Sequence, residues 1–475
     1  MRNNLLVALL VGVLGIVPAD AQRIKFRAAK PLPEGGLPTA VDNSKLKFFP
    51  PVIDQLGGSC AQAAGIGYML TYEMNRLLDR DASASKEYRL SYQFAWNMLN
   101  DGEDQGTFVN QGLMLAHQYG IMTEADYGLH FLFNWPTGYE KYRQAMRYRA
   151  DRIYEYDDSV PLMKRYLYDH GDGSATGGIL TFSGQARGWT IDDSYDGPSL
   201  TGYHSLLTSL ATDGSHAMTI VGYDDTVCYT DNKGRQHEGA FIVVNSWGTW
   251  WQDRGRFYLP YDFFRCPDVP NLQLSNTVEG VTAVTCEPQV LLRLKVSYSS
   301  RDDLRYAVAT TDDPSRTAPR EQHFLPVFSN QGGDLPMRGP QFGDELEFAL
   351  DMTARVKATD RKYFLNVIRT LGGRKKGNGQ LTALSAIDYR GSQPVEYPYR
   401  GTLPATLADG YNYFAIPLFP QFTVPASPLR YTSHDGNLSD KTFLIHTASG
   451  HHAKIRFATP DAQNQTITIR YQTKE

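Results

Sequence analysis

The sequence predicts an α+β domain followed by an all-β, sandwich-like C-terminal region, on three observations. First, apolar residues fall at helical spacing early in the chain. Ala63, Ala64, Tyr68, Leu70, Met74, Leu77 and Leu78 predict a buried helix from Cys60 to Leu78, with more helices around 90–99, 112–119 and 160–169. Second, the period changes at Gly177-Gly178-Ile179-Leu180-Thr181-Phe182, after which Ala217 to Tyr223 and Ala240 to Asn245 are apolar and β-branched, the signature of buried strands. Third, no long helical stretch remains after about residue 287. Val290 to Val296, Leu304 to Ala309, Glu345 to Leu350, Tyr363 to Ile368 and Gln465 to Tyr471 alternate or run apolar between Gly, Pro and Asp, the cadence of β-sandwich modules. Helices first and strands second place a site where the two halves of the first domain meet.

A chain of 475 residues exceeds one ordinary core. The expected division is an export signal at 1–21, an extended Pro/Gly/Lys lead-in at 22–45, a first domain at 46–287, a β-sandwich module at 288–400 and a β-rich C-terminal module at 401–475. The last two are separated or joined through the proline-bearing Pro398 to Pro425 segment. Arg2, the apolar run Leu5 to Val17 and Ala19-Asp20-Ala21 have the charged start, short apolar core and small-x-small end of a cleaved signal, so a secreted, periplasmic or cell-surface location is expected. The apolar run is too short for a membrane span, and no later stretch approaches one. A net charge of −4 gives no electrostatic case for nucleic acid. No glycine-rich phosphate loop or zinc-type Cys/His spacing appears, and strand neighbours His451 and His452 point to opposite faces, so neither a cofactor nor a metal is expected. Arg374-Lys375-Lys376 reads as a hairpin tip. Oligomeric state is not legible.

The chemistry concentrates on Cys60, one of four cysteines. Gly57-Gly58-Ser59 breaks the chain before it and Ser59 can cap the helix that follows, so Cys60 sits in the first turn. There the partial positive charge and free N–H groups of a helix start favour a thiolate, and a protonated histidine nearby would favour it further. His216 opens an apolar strand and can carry a proton to and from a leaving group. Asn245 ends the next strand, where its amide oxygen can hold the imidazole in one tautomer. With Cys60 a nucleophile, Cys228, Cys266 and Cys286 remain. Cys266 and Cys286 could close a short loop and leave Cys228 buried, though connectivity is not readable from sequence.

Asp54-Gln55-Leu56-Gly57-Gly58-Ser59-Cys60, Ser215-His216-Ala217 and Asn245-Ser246-Trp247-Gly248 together resemble the papain-like cysteine peptidases, the papain and cathepsin superfamily. Trp251 and Gly255 continue the likeness past the turn, with Gln252 in place of one glycine. Leu90-Ser91-Tyr92-Gln93 is similar to the family's Leu-Ser-x-Gln. The resemblance covers roughly residues 45 to 265. It implies a two-lobe peptidase domain in which Cys60 is the nucleophile, His216 the acid/base, Asn245 the orienting residue and Gln55 an oxyanion donor beside the Cys60 N–H. Gly58, Gly106, Thr107 and Trp247 would border the substrate, which would be a polypeptide. The expected activity is that of a bacterial, exported thiol endopeptidase.

The sequence departs from the family at several points. Gln55 lies five residues before Cys60, where the family has six. Ala61 replaces the usual aromatic, with Gln62 next to it. The Cys60-to-His216 interval is long, consistent with inserted loops around Phe131 to Arg149 or Asp192 to Tyr203. The lead-in is too short for the family's long pro-segment, so residues 22 to 45 lying over the cleft, or the C-terminal module, would supply any restraint. Trp189, Trp247, Trp250 and Trp251 divide between cleft lining and core plugging. Two other functions stay open: a weakly active or inactive peptide-binding or adhesive protein of the same fold, and a different Cys-His amide hydrolysis such as that of peptidoglycan stems or conjugated bile salts.

Overall fold

A computed structural model of the chain describes residues 24–128, 132–156, 159–209, 213–231, 234–265, 278–370, 377–418, 442–446, 452–457 and 469–474. The chain divides into two compact units, Met1–Phe419 and Pro420–Glu475. The export signal, Cys266, Arg374-Lys375-Lys376 and His451 lie outside the described residues.

In the first unit the apolar stripe beginning at Cys60 folds as one continuous helical segment: α over Cys60–Gln62, wider π over Ala63–Leu70, α again over Thr71–Leu78. Every residue of the π stretch is buried, as a segment apolar all round requires. The helices Tyr92–Leu99, Val109–Gln118 and Val160–Asp169 follow. Ser91 starts the first of these by accepting the Phe94 N–H at 3.1 Å. Two short helices, Glu124–Tyr127 and Tyr139–Ala145, are too brief for periodicity to announce.

A ten-stranded sheet carries the second half of the site. Its strands are β1 (Ile24–Lys25), β2 (Ala40–Asp42), β3 (Tyr148–Tyr156), β4 (Leu180–Arg187), β5 (Thr190–Asp192), β6 (Leu206–Ser209), β7 (Asp213–Thr230), β8 (Gln236–Val244), β9 (Arg256–Pro260) and β10 (Val278–Thr285). They run in the order β1-β3-β10-β4-β7-β8-β9-β6-β5, with β2 added to β7. The central strands β7 and β8 are buried on both faces. One face, with Val221, Ile242 and Val244, joins the core of the Cys60 helix, and the other packs Met218, Ile220, Phe241 and Val243 against Phe182 and Phe257. Each such side chain contributes about 1.5–3 kcal/mol on leaving water. Helices and mixed strands together make the unit α+β.

Residues 290–418 form β11 (Val290–Tyr298), β12 (Leu304–Thr311), β13 (His323–Leu325), β14 (Glu345–Asp351), β15 (Lys362–Arg369), β16 (Gly379–Asp388), β17 (Val395–Pro398), β18 (Ala405–Thr406) and β19 (Gly410–Pro417). A five-stranded sheet is ordered β14-β11-β16-β17 with β18 on β16, and a four-stranded one β13-β12-β15-β19. The strands at 405–406 and 410–417 therefore belong to these same sheets. In the second unit β20 (Thr442–His446), β21 (His452–Phe457) and β22 (Ile469–Lys474) form an antiparallel three-stranded sheet. Among the described residues no helix is long and apolar enough to cross a membrane.

Two expectations are corrected here. The lead-in does not lie over the cleft: Ile24–Lys25 pair with Tyr154–Glu155, and Ala40–Asp42 pair with Gly222–Asp224. The latter contact is six residues along β7 from His216, roughly 20 Å at strand rise. Cys228 is an exposed free thiol rather than a buried one: past the register shift after Asp224, this end of β7 pairs only with Gln236–Glu238 at the start of β8. Cys286 is also a free thiol.

The lead-in contact gives a clear test. A Cβ on Gly222 would stand 2.0 Å from the Val41 carbonyl oxygen, so Gly222→Ala should part β2 from β7. Limited trypsinolysis should then cut at Lys45 several-fold faster than in the parent protein; an unchanged cleavage rate would contradict the pairing.

Candidate active site

Cys60 is the first residue of its helix, and Ser59 precedes it at the capping position. The Ser59 hydroxyl makes no cap hydrogen bond and is buried without a partner. This corrects the expected side-chain cap: Ser59 helps start the helix through its carbonyl, which accepts the Gln62 and Ala63 N–H groups at 3.0 and 2.9 Å. The helix start lies beside β7. The backbone N–H groups of Ala217, one residue past His216, of Ala61 and of Cys60 itself favour the charged form of the sulfur, against the burial that disfavours it.

His216 and Asn245 meet across neighbouring strands. His216 Nε2 lies 2.8 Å from Asn245 Oδ1. The Ser246 N–H donates to the same oxygen at 2.7 Å, which fixes that atom as the amide's acceptor. His216 must therefore donate from Nε2, leaving the Nδ1 lone pair as the basic nitrogen. Trp247 stacks on the ring, centroids 4.6 Å apart and planes 25° apart, and both His216 and Asn245 are buried. Asn245 Nδ2 is buried with no partner, so the amide gains its fixed orientation at the cost of an unpaired donor.

The Asn245–Gly248 turn is tied to the strand before the cysteine. Gly248 N–H donates to the Ile53 carbonyl at 2.9 Å, and Gln55 N–H to the Ser246 carbonyl at 2.8 Å. Tyr68, one helical face along from Cys60, donates to the Asn245 carbonyl at 3.0 Å and accepts the Ile53 N–H at 2.7 Å. The Gln55 side chain is held at both ends: its Oε1 accepts from Ser246 Oγ at 2.6 Å, and its Nε2 donates to the Gly57 carbonyl at 2.8 Å. One of its two amide hydrogens is thus committed to Gly57 and the other is available.

The third wall is the 100–107 loop. Gly58 N–H donates to Asp104 Oδ1 at 2.7 Å, and a Cβ on Gly58 would stand 2.8 Å from the Gln105 backbone. Gly58 is therefore required by close approach. Gly106 faces open space, with nothing within 4 Å of a built Cβ. Thr107 accepts from Gln62 Nε2 at 2.9 Å, and the same amide reaches the Phe108 carbonyl at 3.0 Å. Gln62 is thus a buried anchor of this loop. Among the tryptophans, Trp247, Trp251, Phe257 and Trp189 form a chain of edge-to-face and tilted contacts, and Trp250 is exposed.

Of the residues that the sequence singles out, the structure joins His216 to Asn245 and Trp247, ties Gln55 to Ser246 and Gly57, sets Gly58 against Gln105 and Gly106, joins Thr107 to Gln62 and packs the helix start at Cys60 beside β7. The sequence does not single out Tyr68, Ser246 or Asp104, whose roles depend on which loops meet. Tyr68 is one apolar residue among many on its helix, and nothing local marks its hydroxyl.

Burial raises the Cys60 thiol above its ordinary value, against the pull of the three N–H groups, and lowers His216 below its ordinary value, against the Asn245 hydrogen bond. Both groups are pushed toward neutrality, so the resting thiolate–imidazolium pair that the sequence suggests is disfavoured: desolvation penalises each charge. Among the described residues no cluster of His, Cys, Asp or Glu could hold a metal ion.

No family model and no curated protein matches the sequence. Among solved structures, the chain is similar to xylellain, a cysteine protease from Xylella fastidiosa, at 20% identity over 56% of this chain and 92% of that one, with a TM-score of 0.36. Digestive procathepsin L 3 of Tenebrio molitor larval midgut matches at 16% identity over 56% and 74%, TM-score 0.35. The cysteine protease CMS1MS2 of Carica candamarcensis, solved in complex with E-64, matches at 18% identity over 52% and 99%, TM-score 0.35. The solved structures that the chain resembles are papain-like cysteine proteases.

The electrostatics predict a pH profile. The thiolate is the reactive species, and a raised thiol value leaves less of it at any given pH. Alkylation of Cys60 by iodoacetamide should be slower than that of a free thiol at pH 7 and should climb about tenfold per pH unit through pH 8. A plateau extending down from pH 7 to acid values would instead mean a preformed ion pair.

Proposed function

We propose that the protein is a secreted cysteine endopeptidase acting on polypeptides, with a two-lobe peptidase domain and a sandwich-like β-module. The observation that carries the reading is the His216 Nε2–Asn245 Oδ1 hydrogen bond, which leaves a basic Nδ1 on the strand whose next N–H addresses the Cys60 sulfur.

The chemistry follows from neutral partners. His216 Nδ1 takes the Cys60 proton as the sulfur attacks the scissile carbonyl carbon, and the carbonyl π-electrons move onto oxygen. The free hydrogen of Gln55 Nε2 and the Cys60 N–H stabilise that oxyanion. The intermediate collapses, the C–N bond breaks, and the leaving nitrogen receives the proton from His216. Water then gives a proton to His216 and its oxygen to the thioester carbon; collapse expels the sulfur, which recovers the proton. No cofactor or metal takes part. Asn245 keeps the imidazole in the Nε2–H tautomer throughout, and Trp247 shields that hydrogen bond from water. The open backbone at Gly106, beside Gly58, offers an extended peptide its main-chain partners.

The second reading, an inactive peptide-binding or adhesive protein, is favoured by the Gln55 amide, which already serves Gly57. The two separate in one experiment. The mature protein should cleave a diverse peptide library, and Cys60→Ala should abolish both cleavage and labelling by a thiol-directed epoxide. Gln55→Ala should lower kcat by about 10²–10³. Persistent cleavage in Cys60→Ala would reject the mechanism, and labelling of the parent protein without turnover would favour the binding role.

A further inference from the structure

The β-sheets of residues 290–418 do more than follow the site: they reach the loop that walls it. Arg301, between β11 and β12, is 1% exposed and has no carboxylate partner among the described residues. Its Nε donates to the Gly332 carbonyl and its Nη2 to the Phe133 carbonyl, each at 2.8 Å, while the guanidinium lies 4.1 Å from the centre of the Trp135 ring. Burying an unneutralised cation is costly, and desolvation lowers Arg301 to about 9. Two carbonyls and an aromatic face compensate in part, and they draw three segments together at one point.

From that point the contacts lead to Cys60. Trp135 Nε1 donates to the Asn97 carbonyl and Phe133 N–H to Asn97 Oδ1, both at 2.8 Å. Asn97 meets Asn100 at 3.3 Å, and Asn100 accepts from Gly102 N–H and Gln105 Nε2 at 3.0 Å each. On the other side the Gly332–Gly333 turn presses on the same loop: a Cβ on Gly333, which has φ of +77°, would lie 2.1 Å from the Asp101 carbonyl oxygen. Leu335 lies against Gly102. The loop's far end holds Gly58 through Asp104, and Trp96 Nε1 fixes Gln105 at 3.0 Å. Phe133 and Trp135, within the Phe131 to Arg149 stretch that is one of two places the sequence offers for an inserted loop, supply the other side of this junction.

We infer that Arg301 and the Gly332–Gly333 turn are positioning elements for substrate binding, holding the Asn100–Thr107 loop in register with Gly58 so that a peptide can lie along it. The inference rests on the peptidase reading for its substrate, while the geometry of the loop is independent of it. The junction bears on where the peptide sits and makes no contact with the sulfur, so it should govern KM more than kcat.

The test compares the full-length protein with Arg301→Met, Arg301→Lys and the milder Leu335→Ala, whose side chain is only partly buried. Three readouts are needed: steady-state kinetics on a cleaved peptide, the iodoacetamide alkylation rate of Cys60, and amide hydrogen exchange over 100–107. KM should rise about tenfold in Arg301→Met, with kcat and alkylation within twofold of the parent, faster exchange confined to the loop, and partial recovery in Arg301→Lys. Leu335→Ala should show the same pattern more weakly. Unchanged KM and loop exchange in all three would overturn the inference. So would a common fall in kcat and alkylation with exchange accelerated through the whole unit, since that marks a general scaffold. If the parent protein cleaves no peptide, the peptidase reading fails, and the loop exchange alone decides the positioning role.

Discussion

The site depends on one amide oxygen. Asn245 Oδ1 accepts from both His216 Nε2 and the Ser246 N–H, and this double acceptance sets the tautomer of the imidazole, the orientation of the Asn245 amide and the start of the turn that follows. With its oxygen turned this way, Asn245 leaves its own NH₂ buried and unpaired, a cost of about 1–3 kcal/mol for a buried donor. A fold under pressure for stability alone would flip that amide or replace it. Its retention fits a residue whose task is to aim a neighbour.

Around that oxygen three pieces of chain, remote in sequence, are locked through main-chain groups, partnered by one another, by the Tyr68 hydroxyl and by the Asp104 carboxylate. The 245–248 turn pairs with 53–55, the cysteine helix reaches the turn through the Tyr68 hydroxyl, and the 100–107 loop closes on Gly58. Hydrogen bonds to backbone groups are short and directional, so they fix how the turn, the helix start and the loop sit relative to one another. Glycines at 57, 58 and 248 permit these approaches; at Gly58 in particular no side chain could fit.

What the sequence made legible follows the strength of local signals. The cysteine helix and the strands carrying His216 and Asn245 are long apolar runs, and their periodicity outweighs everything around them. The strand Tyr148–Tyr156 was not foreseen, because Tyr-Arg-Ala-Asp-Arg-Ile-Tyr-Glu-Tyr reads as a polar surface segment until β10 is known to pair with it. The burial of Arg301 is invisible for the same reason: an arginine followed by two aspartates reads as solvent-facing, and only the meeting of Trp135 with the Gly332 carbonyl encloses it. The expected ion pair at Cys60 follows from the helix start and a protonated histidine beside it, and the structure adds the desolvation that opposes both charges. Local pattern locates the chemical groups; their charge state and their supports come from tertiary enclosure.

The π stretch Ala63–Leu70 has a mechanical meaning. Thr71 N–H reaches back five residues to the Ile66 carbonyl, so the screw is under-wound between the sulfur and the distal half that anchors the segment in the core. The two ends are therefore out of phase with an ordinary α-helical thread, and Gly65 and Gly67, packed against Val109 and Ile53, make room for the wider bore. The azimuth of Cys60 is set by this accumulated lag: losing a single residue from the stretch would restore a regular thread and swing the sulfur off its heading while leaving the core-facing half undisturbed.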